Sequence, residues 1–133
     1  MTSKTDSMEN NRLIVDLDGT LTIESDRDYA DKEANKAVIE KLREYAESGF
    51  LITIFTARNM RSFSGDLDEI KKYTLPIIEA WLDMNNVPYD EILIGKPWPG
   101  ENGFYIDDRA VRPDEFCSLE VDELRKLTGL DQA

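Results

Sequence analysis

Leu13-Ile14-Val15-Asp16-Leu17-Asp18-Gly19-Thr20-Leu21-Thr22 is the stretch from which the rest of the chain is best read. Three aliphatic residues running into an acid read as a short strand buried on two faces. The Asp-Gly-Thr that follows is a turn signal. A second apolar run, Phe50 to Phe55, ends in Thr56. A third, Ile92-Leu93-Ile94, ends in Gly95-Lys96, and a fourth, Phe104-Tyr105-Ile106, ends in Asp107-Asp108. Four short strands are therefore expected, each delivering polar residues at its C-terminal end.

Helical patterns fill the gaps. Val38, Ile39, Leu42, Tyr45 and Ala46 recur at helical spacing and Gly49 supplies a C′ stop. Leu67, Ile70, Ile77, Ile78, Trp81 and Leu82 form a second stripe, in which Pro76 is expected to kink the helix or to start another. Ser118 is expected to cap a last amphipathic helix carrying Val121, Leu124 and Leu127, closed by Gly129. Strands alternating with helices imply an α/β, three-layer Rossmann-like fold: a mainly parallel sheet with right-handed crossovers and helices on both faces. Ligands in such folds sit beyond the strand C-termini, where the polar residues fall. A flexible N-terminal segment, 1–11, and a single domain, 12–133, are the expected organisation, since 133 residues suit one modest core.

Composition narrows the chemistry. There is no histidine, which removes Ser-His-Asp and Cys-His nucleophile systems and imidazole zinc sites. Carboxylates, hydroxyls, lysine and arginine remain, and carboxylates favour hard cations such as Mg²⁺. A formal net charge of −12 opposes nucleic acid as a partner. No apolar run approaches the ~20 residues of a membrane span, residues 1–11 lack the apolar core of a secretory signal, and the lone Cys117 allows no intrachain disulfide. A cytoplasmic setting is the expectation. Arg58, Arg61, Lys96, Arg109 and Arg112 fall in or just beyond the strand-end loops, a cationic mouth on an acidic body.

Asp16-Leu17-Asp18-Gly19-Thr20, with Thr56, Lys96 and Asp107-Asp108 following in order on successive strand ends, resembles the haloacid dehalogenase superfamily over nearly the whole chain. The residues themselves argue for phosphoryl transfer. Asp16 can attack phosphorus to give an aspartyl phosphate. Asp18, two residues on and expected on the same side of an extended chain, can donate a proton and then activate water. The resemblance implies that Mg²⁺ is held by Asp16, the Asp18 main-chain carbonyl, Asp107 and, through a water, Asp108. It also implies that Thr56, the Ala57 amide, Gly19 and Lys96 hold the phosphate. Lys96 further offsets the clustered carboxylates.

Each of these residues has an ordinary explanation when taken alone. Asp-Gly-Thr is a turn, Asp107-Asp108 a strand end or helix cap, Thr56 an N-cap and Lys96 a surface lysine. Only their combination points to a site. Arg58, Arg61, Arg109 and Arg112 are more often solvated than functional. Arg58, Arg61, Arg109 and Trp98, the last lying between two prolines near Lys96, are carried as candidate substrate contacts, with Arg58 foremost; Trp81 is assigned to the core.

The spacings leave no room for a large cap domain, either after the first motif or between Thr56 and Lys96. Asp26, Arg27, Asp28 and Tyr29 are candidates for a partial lid. Closure by a neighbouring subunit would make a homodimer. Thr56-Ala57-Arg58-Asn59-Met60-Arg61, Thr74-Leu75-Pro76, Val87-Pro88-Tyr89-Asp90-Glu91-Ile92, Gly95-Lys96-Pro97-Trp98 and Tyr105-Ile106-Asp107-Asp108-Arg109 are similar to a small group of capsule-biosynthesis phosphatases. That similarity implies a small phosphorylated sugar or polyol as substrate. The competing readings are a non-catalytic binding or regulatory module on the same fold and a nucleotide or polynucleotide end phosphatase.

Overall fold

The computed structural model describes residues 11–130, so residues 1–10 of the expected flexible segment lie outside the described residues. The chain forms two compact units, Met1–Trp98 and Pro99–Ala133.

The first unit is built on a parallel sheet of β1 (Arg12–Val15), β2 (Leu51–Thr56) and β3 (Glu91–Ile94), in the order β1-β2-β3. Val15 pairs with Ile54, and Ile54 with Ile92, so Asp16, Thr56 and Gly95-Lys96 all leave the sheet at one end. The central β2 has Ile52 and Ile54 fully buried, whereas Ile14 of β1 is 65% exposed. The expectation of burial on two faces thus holds for β2 and fails for β1. An apolar triplet marks a strand, but what covers its faces is decided by distant packing that the triplet does not encode.

Helix α1 (Lys36–Glu47) begins at Asn35, whose side chain accepts from the Val38 amide, and it buries Val38, Ile39, Leu42 and Tyr45. Complete burial of each such aliphatic side chain contributes about 1.5–3 kcal/mol, which is what holds a helix of this length. Gly49 follows in the left-handed region, at φ 103°. Pro76 starts a new helix: α2 (Leu67–Tyr73) and α3 (Leu75–Met84) meet at Thr74. In the first turn of α3 the missing proline N–H leaves no helical bond unmade. Ile70, Ile78, Trp81 and Leu82 are fully buried, while Leu67 and Ile77 are about half exposed.

Between β1 and α1 the chain makes a compact Ω-shaped excursion. Thr22 bridges Ala34, and the Ile23 amide donates to Glu33 O (2.8 Å). Trp81 Nε1 donates to Lys32 O (2.8 Å). A single 3-10 turn, Tyr29–Asp31, lies within it. Neither this excursion nor the helical hairpin between β2 and β3 holds a separate folded cap.

The second unit carries α4 (Pro113–Ser118) and α5 (Val121–Leu127). Ser118 ends α4 and does not cap the last helix. That role falls to Glu120, whose amide donates to the Glu123 carboxylate (3.1 Å), half of a reciprocal capping box. Leu124 is buried, but Val121 and Leu127 are about half exposed. No strand forms at Phe104-Tyr105-Ile106; these residues are 78%, 52% and 91% exposed. Three apolar residues have the right local preference, but a strand exists only when a ladder partner takes up its amides and carbonyls.

Candidate active site at the end of the sheet

Beyond β1 the backbone turns at once. The Leu17 carbonyl accepts from the amides of Thr20 (3.2 Å), Leu21 (2.9 Å) and Thr22 (3.1 Å), with the Leu17 and Leu21 side chains fully buried as plugs beneath. Gly19 sits at φ 82°, a conformation that costs a residue with a Cβ, and its amide donates to Thr22 Oγ1 (3.2 Å). Asp18 therefore lies in a turn and not, as expected, on an extended chain.

Asp16 is partly buried, and its carboxylate oxygens face two donors. Lys96 Nζ stands 3.4 Å from Oδ1, and Thr20 Oγ1 donates to Oδ2 at 3.4 Å. Burial raises the Asp16 pKa above the ordinary carboxylate value; the charge and hydrogen bond of Lys96 oppose that rise, and nearby Asp18 adds to it. Two features aim Lys96. Its amide donates to Thr56 O (3.1 Å), and Gly95 at φ 87° turns the chain where a Cβ would come within 2.9 Å of Leu67 Cδ2.

Thr56 is buried, and its Oγ1 accepts from the Arg58 amide (3.0 Å), tightening the 56–58 turn. Asn59, at φ 62°, ties the same loop to the α2–α3 junction by accepting from Thr74 Oγ1 (2.7 Å). The loop delivers Arg58 inward. Its guanidinium holds the Asp18 carboxylate in a bidentate pair, Nε to Oδ2 at 3.1 Å and Nη2 to Oδ1 at 2.8 Å. The Arg58 side chain is 1% exposed, so the general expectation of a solvated arginine fails here. Tyr29 lays its ring 4.1 Å from the guanidinium carbon, and Nη1 is buried without a hydrogen-bond partner. Leaving such a donor unmet costs roughly 1–3 kcal/mol.

The first unit thus gathers Asp16, Asp18, Gly19, Thr56, Ala57, Arg58 and Lys96 on adjoining turns at one end of the sheet. Arg61 lies against the partly exposed Trp98 at 5.3 Å. Trp81 is core, as expected. Asp107, Asp108, Arg109 and Arg112 belong to the second unit and are exposed, with Asp107 Oδ1 accepting from the Arg109 amide (2.9 Å). Thr20 and the Asn59–Thr74 tie escaped the sequence reading. Thr20 stood inside the decisive motif, but nothing in the sequence marked the tie. Among the described residues no three acidic side chains gather into a ready cation cage. Magnesium does not require one: it keeps several waters and commonly takes one or two carboxylates beside substrate phosphate. The Asp16 carboxylate and the Asp18 main-chain carbonyl are hard oxygen donors of that type.

Fold and site define an α/β protein with a carboxylate centre at the C-terminal edge of a parallel sheet. Residues 13–85, more than half of the chain, match the model of the haloacid dehalogenase-like hydrolases, and the chain belongs to that family. A crystal structure of a protein from Vibrio cholerae is similar to it at 55% identity and a TM-score of 0.88, covering 91% of this chain and 98% of that one. No curated protein matches. Among the described residues no helix is long and apolar enough to cross a membrane.

Proposed function

We propose that this hydrolase cleaves phosphate monoesters by forming an aspartyl phosphate on Asp16, in a cytoplasmic setting, with a small phosphorylated sugar or polyol as substrate. The observation that carries the reading is the pairing of two differently held carboxylates two residues apart. Asp16 faces an ammonium and a hydroxyl, whereas Asp18 is locked by a guanidinium. Asp16 thus stands beside the ammonium that can meet a phosphate, as a nucleophile must, and Asp18 is held in one orientation two residues away, as a proton-transfer group must be.

The chain's own residues account for the steps. Lys96 neutralises part of the charge that would otherwise keep an anionic ester away from Asp16, and it remains to meet the phosphate oxygens. Asp16 Oδ attacks phosphorus, and the bond from phosphorus to the ester oxygen breaks as Asp18 gives that oxygen a proton. Water, losing a proton to Asp18, then displaces Asp16 from phosphorus and regenerates both carboxyl groups. Thr56 and the Ala57 amide supply further donors to the phosphate, beside Gly19. Arg58 orients Asp18. Asp16, the Asp18 carbonyl, Asp107 and, through a water, Asp108 are the proposed holders of Mg²⁺, which when bound supplies charge neutralisation at the phosphate. The sugar or polyol assignment is supported by the extended motif similarity alone.

Release of inorganic phosphate from a generic aryl phosphate, with Mg²⁺ and then with excess chelator, tests the reaction. Turnover that stops with chelator and with Asp16→Asn is expected. A wild-type protein inactive across a panel of sugar phosphates, polyol phosphates and nucleotides would overturn it.

A further inference from the structure

Arg58 has five N–H donors, and Asp18 takes one edge of the guanidinium through Nε and Nη2. Nη1 is buried and unpartnered among the described residues, although buried donors are nearly always satisfied. The group that covers the guanidinium is an aromatic plane, Tyr29, which offers its face and no acceptor atom in line. Resting on the phosphatase reading, we propose that Arg58 Nη1 and the Tyr29 ring form a subsite for the alcohol part of the ester, selecting leaving groups that carry hydroxyl oxygens.

Three observations fix the class. The phosphate has its own cation in Lys96, 3.4 Å from Asp16, so Arg58 is free to read what lies beyond phosphorus. The guanidinium charge is already met by Asp18, and the rim is mixed in sign: Lys32 Nζ stands 6.0 Å from the Tyr29 ring centroid, and Glu24 Oε1 lies 3.4 Å from where a Gly19 Cβ would stand. With its charge offset by Asp18, the guanidinium offers Nη1 as a single hydrogen-bond donor, which a neutral hydroxyl oxygen meets without bringing a second anion beside the Asp18 carboxylate. An aromatic plane also suits the C–H face of a polyhydroxylated chain. Access is built in. The excursion is anchored at its ends, by the Thr22–Ala34 bridge and the Trp81–Lys32 hydrogen bond, while residues 23–31 are exposed. Tyr29 itself is 41% exposed, so its ring borders solvent.

The test uses a matched pair of esters, glycerol 3-phosphate and n-propyl phosphate, which share a three-carbon chain and differ in the two hydroxyls. Wild type is expected to prefer glycerol 3-phosphate by at least about tenfold in kcat/KM, since a site that donates to a substrate oxygen rejects the analogue lacking it. Tyr29→Leu is expected to bring the ratio to within about threefold, chiefly through KM, and Tyr29→Phe to keep it. Calorimetric titration of Asp16→Asn with both esters separates this inference from the one beneath it. Preferential binding of glycerol 3-phosphate by a chain whose wild type hydrolyses neither ester would overturn the phosphatase reading and leave the subsite standing. Hydrolysis of both esters at equal kcat/KM, a ratio unmoved by Tyr29→Leu, or binding of neither ester would overturn the subsite.

Discussion

Two stretches of this chain carry the same local pattern and meet different fates. Leu13-Ile14-Val15 runs into Asp16, and Phe104-Tyr105-Ile106 runs into Asp107. The first forms a strand paired residue by residue with β2, then a turn pinned on the Leu17 carbonyl. Its two acids are each met by a cation from another loop. The second forms no strand, and its three apolar side chains are largely exposed. An apolar triplet before an acid is therefore permission for a strand that ends in a built turn and not a cause of one. The causes are a ladder partner, buried plugs under the turn, and counter-charges delivered from elsewhere.

The largest effect expected from this contrast is on turnover. Asp16→Asn should lower kcat by at least about a thousandfold, as removal of an attacking group does; steady-state phosphate release measures it. If the variant kept a tenth of the activity, the first strand end would be no more catalytic than its local pattern.

Stability separates the two stretches next. Ile54→Ala, in the strand that pairs with Leu13-Ile14-Val15, should cost about 3 kcal/mol by denaturant titration, whereas Phe104→Ala should cost under about 0.5 kcal/mol. A comparable loss at Phe104 would mean that the second triplet is packed after all. Arg58→Ala removes a buried partner of Asp18 and should cost about 3 kcal/mol. The same variant should lower kcat more than it raises KM, because Asp18 loses its orientation.

A smaller effect concerns the electrostatics of Asp16. Its folded pKa is raised, mainly by burial, so the folded chain holds the proton more tightly than the unfolded one. The stabilisation from the protonated form is complete below the ordinary carboxylate pKa and is lost as pH rises through the folded value. Chelator-treated Asp16→Asn should thus melt slightly above wild type at pH 7, and the gap should close as pH falls towards 4. A gap of opposite sign would mean that Lys96 more than compensates for burial.

Much of this was legible beforehand, for identifiable reasons. The β1–α1–β2 unit and the assignment of Trp81 to the core follow from periodicity that tertiary packing then reinforced. The split at Pro76 follows from a backbone rule that operates within one turn. The grouping of Asp16, Thr56 and Lys96 follows from topology, because parallel strands leave a sheet at a common end. What was not legible depends on long-range geometry. Arg58 looks like any loop arginine until the Thr56 hydroxyl and the Asn59–Thr74 tie turn it inward. A two-residue spacing points Asp18 along an extended chain, because it says nothing of the turn that Leu17 and Gly19 impose. The absence of a strand at Phe104-Tyr105-Ile106 and the cap at Glu120 instead of Ser118 share a cause: local preference names candidates, and tertiary packing chooses among them.

Rapid acid quenching during turnover of glycerol 3-phosphate, followed by peptide mass spectrometry, tests the role of Asp16 most directly. The expected result is a base-labile phosphate on the peptide containing Asp16, appearing within the first turnover and missing from Asp16→Asn. Turnover with the phosphate on another residue would contradict it.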